Sequence, residues 1–191
     1  MQAMADLSGG FSAPSVDAAH AFRAALEALA RPGSVQDLRG ATPPAPLSVA
    51  AGTLLLTLAD SATPLHLAGA ADCDAVRGWL AFHCGAPLVG PEAAMLAVGR
   101  WEDLGPLSAY PRGTPDYPDR SATLIVECDA LDGPANATLS GPGIETRATA
   151  PLPDLATLAE NHALYPLGLD FFFTAGARVM GLPRSTRTEA L

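Results

Sequence analysis

The apolar stretch near the C-terminus, residues 161–187, restricts the possible folds more than any other part of the sequence. It contains two short apolar segments, 169–175 and 178–182, which are separated only by Gly176 and Ala177. Aromatic and β-branched residues on both sides of a Gly-containing break predict two strands joined by a tight hairpin. Three successive phenylalanines at 171–173 put apolar side chains on both faces of the first strand. The stretch therefore favours a sheet that is covered on both sides, as in a layered α/β protein.

Helical and strand patterns alternate in the earlier part of the chain. Helices are predicted over 16–30, 48–59 and 72 or 74 to 84, and a last helix begins at 153 or 154 and ends near 162. Strands are predicted over 64–67, 93–98 and 123–128, and a hairpin joins 136–139 to 144–148. Because strands cluster late, we expect a mixed sheet rather than an all-parallel one. We expect residues 1–13 to be a flexible N-terminus and residues 14–191 to form a single α/β domain.

The first predicted helix carries an apolar stripe at helical spacing. The stripe predicts a face that packs in the core, with Ser15 as the residue that caps the N-terminus of the helix. His20 and Arg23 lie on the opposite side, where both a solvated face and a contact with a partner remain open. The stripe consists of Val16, Ala19, Phe22, Leu26 and Leu29.

Composition excludes several classes of protein. The formal net charge is −9, which argues against nucleic acid or an anionic membrane as the main partner, because binding phosphate groups needs clustered positive charge. No apolar run approaches the roughly 20 residues that a bilayer-spanning helix needs. The first eight residues lack the pattern of a signal peptide. We therefore expect a cytoplasmic protein in which the three cysteines are reduced and buried.

The sequence contains no lysine, since all eleven Lys and Arg residues are Arg. The chain therefore cannot form a Schiff base with pyridoxal phosphate, and it lacks the lysine of a nucleotide-binding P-loop. It also has no Gly-x-Ser-x-Gly motif and no His and Cys pairs at the spacing of a zinc site. From the residues we predict no catalytic residues, no cofactor and no self-contained metal site.

Two segments are rich in hydrogen-bond donors. The stretch from 101 to 121 loses periodicity, and a loop of that length inside a compact domain is usually functional or mobile. Arg side chains suit phosphate and phosphonate oxygens. These donors could instead pair with acidic residues of their own chain, and both interpretations stay open. The candidate contacts for an anion or a partner are Arg112, Thr114, Tyr117, Arg120, Arg184 and Arg187.

Several blocks of sequence, in order along the chain, resemble the PhnH family. The C-terminal blocks are Tyr-Pro-Leu-Gly-Leu-Asp at 165–170 and Gly-Leu-Pro-Arg-Ser-Thr-Arg at 181–187. No single block is specific, but the ordered set extends over nearly the whole chain. The other blocks lie at 17–23, 31–33, 54–60, 63–64, 82–83, 86–89, 112–114, 117–124 and 140–144.

The resemblance implies a fold and a function. Proteins of the PhnH family are subunits of the bacterial carbon–phosphorus lyase core complex. The resemblance implies a three-layer αβα sandwich with a mixed sheet, similar to the fold of pyridoxal-phosphate-dependent transferases but without the cofactor. It also implies an accessory or structural role in phosphonate breakdown, supporting the formation of ribose 1-phosphonate 5-triphosphate from ATP and an alkylphosphonate. Catalytic residues would then lie mainly on other subunits, which are the expected partners.

Two alternatives to an accessory subunit remain open at this point. The chain could be a free-standing small transferase that acts on a phosphorylated ligand, or a protein that binds phosphonate without chemistry. Self-association of the isolated chain is also open, with a homodimer as one outcome.

Overall fold

The computed structural model describes residues 7–191 and shows an α/β fold in which a mixed sheet carries helices. Within these residues the chain forms a six-stranded sheet, a three-stranded sheet and four α-helices. The helices are α1 (Pro14–Ala30), α2 (Val49–Leu58), α3 (Asp74–His83) and α4 (Leu155–His162). The strands are β1 (Val35–Asp37), β2 (Leu65–Leu67), β3 (Leu96–Arg100), β4 (Thr123–Glu127), β5 (Ala137–Ser140), β6 (Ala148–Ala150), β7 (Asp170–Ala175), β8 (Arg178–Leu182) and β9 (Arg187–Ala190).

The larger sheet is mixed, as predicted. Its strand order is β1-β8-β7-β4-β3-β2, in which β2, β3, β4 and β7 run parallel while β8 and β1 are antiparallel to their neighbours. The predicted C-terminal hairpin is confirmed, since Ala175 pairs with Arg178 across Gly176 and Ala177. Gly176 has a φ of +57°, a value that a glycine adopts without steric cost.

The larger sheet is covered on both faces, as the three phenylalanines predict. Side chains alternate along each strand, so Phe172 joins one apolar cluster and Phe171 and Phe173 join the other. The Phe172 cluster contains the buried faces of α1, α2 and α3. The second cluster contains the three-stranded sheet, the chain between β3 and β4, and α4. One side of the sheet is thus covered by helices and the other by a small sheet with one helix.

The predicted buried face of α1 is wrong for Val16, Ala19, Phe22 and Leu26, which are exposed, whereas Leu29 is half-buried and packs against the core. The helix packs on the sheet through Ala21, Ala25 and Ala28, whereas Phe22 is 54% exposed and Leu26 is 56% exposed. A Cβ atom added at Gly181 of β8 would lie 2.6 Å from the backbone of Ala28, so helix and strand approach closely. Small side chains on the helix and no side chain at position 181 permit this approach. Val16, Phe22 and Leu26 are therefore left facing outward.

Other sequence predictions need smaller corrections. Ser15 lies inside α1 and does not cap it. The carboxylate of Asp17 instead accepts hydrogen bonds from the backbone N–H of Ala13 and the hydroxyl of Ser12, at 2.8 and 3.2 Å.

Strand β6 begins at 148 rather than 144, although it pairs with β5 as predicted. Strands β1 and β9 were not predicted at all. Each is short and polar, so neither shows the alternation that marks a strand.

Part of the N-terminal segment expected to be flexible lies outside the described residues. The part that is described contacts the domain through its backbone. The carbonyl of Ser8 accepts a hydrogen bond from Trp79 Nε1 at 2.9 Å, and the carbonyl of Gly9 accepts one from the N–H of Thr42 at 2.7 Å. Residues 7–191 include no helix that is both long enough and apolar enough to cross a membrane.

Candidate functional site

The donor-rich stretch between β3 and β4 ends in a small hairpin rather than an irregular loop. Arg112 and Ser121 form an antiparallel bridge, and the N–H of Ala122 donates to the carbonyl of Pro111 at 2.8 Å. At the tip, Thr114 and Tyr117 exchange backbone hydrogen bonds of 3.1 and 3.0 Å. The stretch 111–122, which we call the Arg112 hairpin, therefore has a defined backbone.

Arg184 anchors this hairpin to the end of the larger sheet. Its guanidinium binds the carboxylate of Asp170, the hydroxyl of Ser121 and, at 2.7 Å, the carbonyl of Pro118. Its backbone N–H also donates to Asp170 at 2.8 Å. The side chain of Arg184 is 14% exposed and that of Asp170 is 22% exposed, so the pair is mostly shielded from water. Of the two interpretations of Arg184, the geometry favours pairing within its own chain.

Helix α4 is fixed to the start of β7 by a second polar contact. The side chain of Asn161 donates to the carbonyl of Leu169 at 2.9 Å and accepts from its N–H at 2.8 Å. At the other end of the helix, the carboxylate of Asp154 accepts from the N–H of Thr157 at 3.1 Å and caps the N-terminus. The hydrogen bonds that Asp154 accepts from the N–H and the hydroxyl of Thr157 lower the pKa of Asp154. The helix is therefore capped at its N-terminus and joined to the larger sheet near its C-terminus.

A cavity of about 350 Å³ lies between the Arg112 hairpin and α4. Three of its lining residues belong to the turn at 106–108, and Arg112 belongs to the hairpin. The remaining four, at 157, 160, 161 and 164, recur at the spacing of one helix face. The cavity is thus bounded by elements whose positions are set by Arg184 and Asn161.

Among the arginines without a carboxylate partner within residues 7–191, Arg112 is distinguished because it is half-buried while the others are exposed. It is half-buried and lines the cavity, yet it forms no ion pair there. Arg120 is stacked 4.0 Å from the ring centre of Tyr117, and Arg23 and Arg147 are exposed. The arginines with carboxylate partners are Arg31, Arg39, Arg77, Arg100, Arg178, Arg184 and Arg187.

The structure does not unite the six candidate contacts into one site. Thr114, Tyr117 and Arg120 lie at the exposed end of the hairpin, with Arg112 at its base. Arg184 is in the network described above. Arg187 lies on β9, where its exposed side chain is 3.9 Å from Glu189.

Sequence reasoning missed Glu127, at the end of β4. Its carboxylate accepts the backbone N–H of Ser48 at 2.7 Å, just before α2, and the hydroxyl of Thr174 at 3.1 Å. Burial raises the pKa of Glu127 above its ordinary value, despite these hydrogen bonds. The signal available in the sequence was an acidic residue that directly follows four residues of a predicted strand. Glu127 thus joins the N-terminus of α2 to the centre of the sheet.

Burial raises the pKa of Cys128 to about 11, so its thiol is protonated near neutral pH and is a poor nucleophile. Between residues 7 and 191, no three His, Cys, Asp or Glu side chains form a group that could hold a metal ion.

Comparisons with known proteins agree on one family. A profile of the family described as "Bacterial phosphonate metabolism protein (PhnH)" matches residues 9–189. The chain is 38% identical over 192 residues to a Rhizobium meliloti (strain 1021) protein named "Alpha-D-ribose 1-methylphosphonate 5-triphosphate synthase subunit PhnH", and the match covers 95% of each chain. It is 30% identical over 176 residues to a Stutzerimonas stutzeri protein named "Putative C-P lyase subunit protein HtxG", covering 87% of this chain and 83% of the relative.

Proposed function

The chain belongs to the PhnH family, and from this membership we propose that it is an accessory subunit of the carbon–phosphorus lyase core complex. In this role it supports the formation of ribose 1-phosphonate 5-triphosphate from ATP and an alkylphosphonate. The observation that carries the proposal is the 38% identity, over 95% of both chains, to a protein named as a subunit of alpha-D-ribose 1-methylphosphonate 5-triphosphate synthase. Its partners are other subunits of the complex.

The exposed apolar stripe of α1 supports a role in assembly. Val16, Phe22 and Leu26 are each more than half exposed on one stretch of helix, while small alanines of the same helix pack against the sheet. Phe22 and Leu26 lie four residues apart on one face of the helix, and an exposed patch of apolar side chains commonly marks a protein–protein contact. We assign this stripe to another subunit of the complex, because both named relatives are subunits of larger enzymes.

The absence of lysine supports binding rather than pyridoxal phosphate chemistry. We also propose that the fold is a three-layer αβα sandwich related to pyridoxal-phosphate-dependent transferases, in which α4 and the three-stranded sheet together form the third layer, and that the protein is cytoplasmic. Apolar clusters on both faces of the larger sheet support the layered assignment. Borohydride treatment with the cofactor should leave the mass of every internal side chain unchanged, and an internal adduct would contradict the proposal.

Growth on phosphonate tests the role in the cell. A strain that lacks this gene should fail to grow when methylphosphonate is the only phosphorus source and should grow normally on inorganic phosphate. Growth on methylphosphonate after deletion, with no second copy present, would refute the assignment.

Co-purification tests the assembly surface. Phe22→Ser should weaken recovery of the other subunits with the tagged chain while leaving its unfolding temperature nearly unchanged, because the side chain is already exposed. Phe82→Ser is the matched control, since Phe82 is 65% exposed on α3. Equal recovery with both variants would contradict the α1 contact. A change in self-association alone would indicate that the stripe contacts a second copy of the chain.

A further inference from the structure

We propose that the cavity between the Arg112 hairpin and α4 binds a small zwitterion of the aminoalkylphosphonate class. The phosphonate would bind to Arg112 and the ammonium to Glu160, which both line the cavity. The assignment goes beyond an assembly role, because it gives this chain a small-molecule ligand of its own.

Arg112 supplies the anion-binding end. A half-buried guanidinium has lost part of its hydration, and an anion that binds to it compensates for that loss. Arg112 has no carboxylate partner within residues 7–191, while Arg184, whose side chain is 14% exposed, binds Asp170, Ser121 and the carbonyl of Pro118. A planar guanidinium offers paired donors that match two oxygens of a phosphonate. The unpaired position of Arg112 therefore points to an anion that arrives from outside the chain.

Glu160 indicates that the ligand also carries a positive charge. It lines the same cavity from α4, its side chain is exposed, and the two residues form no ion pair with each other. A ligand that is only anionic would be repelled by Glu160, and one that is only cationic would be repelled by Arg112. A zwitterion satisfies both charges, and this electrostatic match also discriminates against singly charged ligands.

The walls and volume of the cavity suit a small molecule. Pro106, Leu107 and Leu164 supply apolar surface for a short alkyl linker, and Ser108 also lines the cavity. The volume of about 350 Å³ lies at the small end of the range for ligand pockets. The walls are set in place by the Asn161 and Arg184 contacts, so little ordering is needed on binding.

The choice of phosphonate over carboxylate rests on the proposed function, since the two charges alone would also suit an amino acid. Calorimetry on the purified full-length chain separates these classes. The probes are 2-aminoethylphosphonate, ethylphosphonate, β-alanine and inorganic phosphate. We expect 2-aminoethylphosphonate to bind at least tenfold more tightly than each of the other three.

Two variants assign the ends of the ligand. Arg112→Gln should abolish detectable binding of 2-aminoethylphosphonate, and Glu160→Gln should remove the preference for it over ethylphosphonate without weakening ethylphosphonate binding. Arg187→Gln is the control, because Arg187 is exposed on β9 and does not line the cavity. Thermal unfolding of each variant checks that the fold is retained.

Several results would overturn the proposal. These are equal affinities for the amino and non-amino phosphonates, tighter binding of β-alanine, or unchanged binding by Arg112→Gln. A failure to bind any probe, together with loss of subunits from the Arg112→Gln chain, would assign the two charges to a partner protein instead. None of these outcomes depends on growth with methylphosphonate, which carries no ammonium, so the assembly role is scored separately.

Discussion

Replacing Arg184 by Ala tests whether the C-terminal segment holds the Arg112 hairpin in place. The substitution removes the donors that bind Asp170, Ser121 and the carbonyl of Pro118. The Asp170 carboxylate, which is 22% exposed, then has no cation beside it. Because the carboxylate is then poorly hydrated and unpaired, we expect a large loss of stability rather than a surface effect.

The magnitude follows from the burial of the pair. Removing one partner of a buried ion pair costs about 3–5 kcal/mol, and the residual exposure of Asp170 places our estimate near the lower limit, at about 3 kcal/mol. For a chain of this size, each kcal/mol lowers the midpoint of thermal unfolding by about 2–4 °C. We therefore expect the midpoint to fall by roughly 6–12 °C.

Urea unfolding of four proteins measures the effect: the parent, Arg184→Ala, Asp170→Ala and the double variant. The double variant should be less destabilised than the sum of the two single variants, because it leaves no unpaired charge. Arg187→Ala is the control, and its exposed pair with Glu189 should contribute no more than about 1 kcal/mol. A loss below about 1 kcal/mol for Arg184→Ala, or strict additivity in the cycle, would refute the structural role.

Three further predictions concern packing and pH. Gly181→Ala should lower the free energy of unfolding by about 1–3 kcal/mol in urea, because its Cβ would lie 2.6 Å from the backbone of Ala28. Gly78→Ala in α3 is its control and should be stabilising, since a Cβ there meets nothing within 4 Å. Phe172→Asp should prevent folding, measured as loss of soluble protein, because a buried unpaired carboxylate costs several kcal/mol. The pKa of Glu127 is raised above 4.5 in the folded chain, so the free energy of unfolding should fall as pH rises from 4.5 to that raised value. Glu127→Gln should reduce this fall, measured by urea unfolding at several pH values, and an unchanged slope would contradict the prediction.

The elements that sequence predicts well are those in which local pattern and tertiary burial agree. The hairpin of β7 and β8 has apolar strands and a glycine at the turn, and it forms as predicted. Helix α2 has a Ser48 cap, whose hydroxyl accepts the N–H of Ala51 at 3.1 Å, and a nearly all-apolar sequence. In both elements, the local sequence that predicts the element also places its apolar side chains in the core.

The first helix shows where hydrophobic periodicity fails. Large apolar side chains and alanines both recur at helical spacing on α1, so the pattern is compatible with two different orientations of the helix. The decision between them depends on the backbone of β8, where Gly181 allows Ala28 to approach closely. Ala28 and Gly181 are about 150 residues apart in the sequence, so no local pattern predicts their contact.

The candidate donors show the same limit for polar residues. Arg112 and Arg184 look equivalent in the sequence, since both are arginines in segments without helical periodicity. They differ because Asp170 occupies the register position on β7 that meets Arg184, whereas no carboxylate of residues 7–191 pairs with Arg112. A distinction between a structural and a ligand-binding arginine therefore needs the register of the sheet.

The two proposed contacts lie on opposite sides of the larger sheet and should be separable by experiment. Helix α1 belongs to the apolar cluster around Phe172, whereas α4 and Leu107 belong to the cluster on the other face. A subunit that docks on α1 would therefore leave the cavity accessible. Phe22→Ser should reduce assembly without changing the affinity for 2-aminoethylphosphonate, and Arg112→Gln should do the reverse. If either variant altered both properties while remaining folded, the two sites would be coupled through the sheet, and the assignment of independent roles would be wrong.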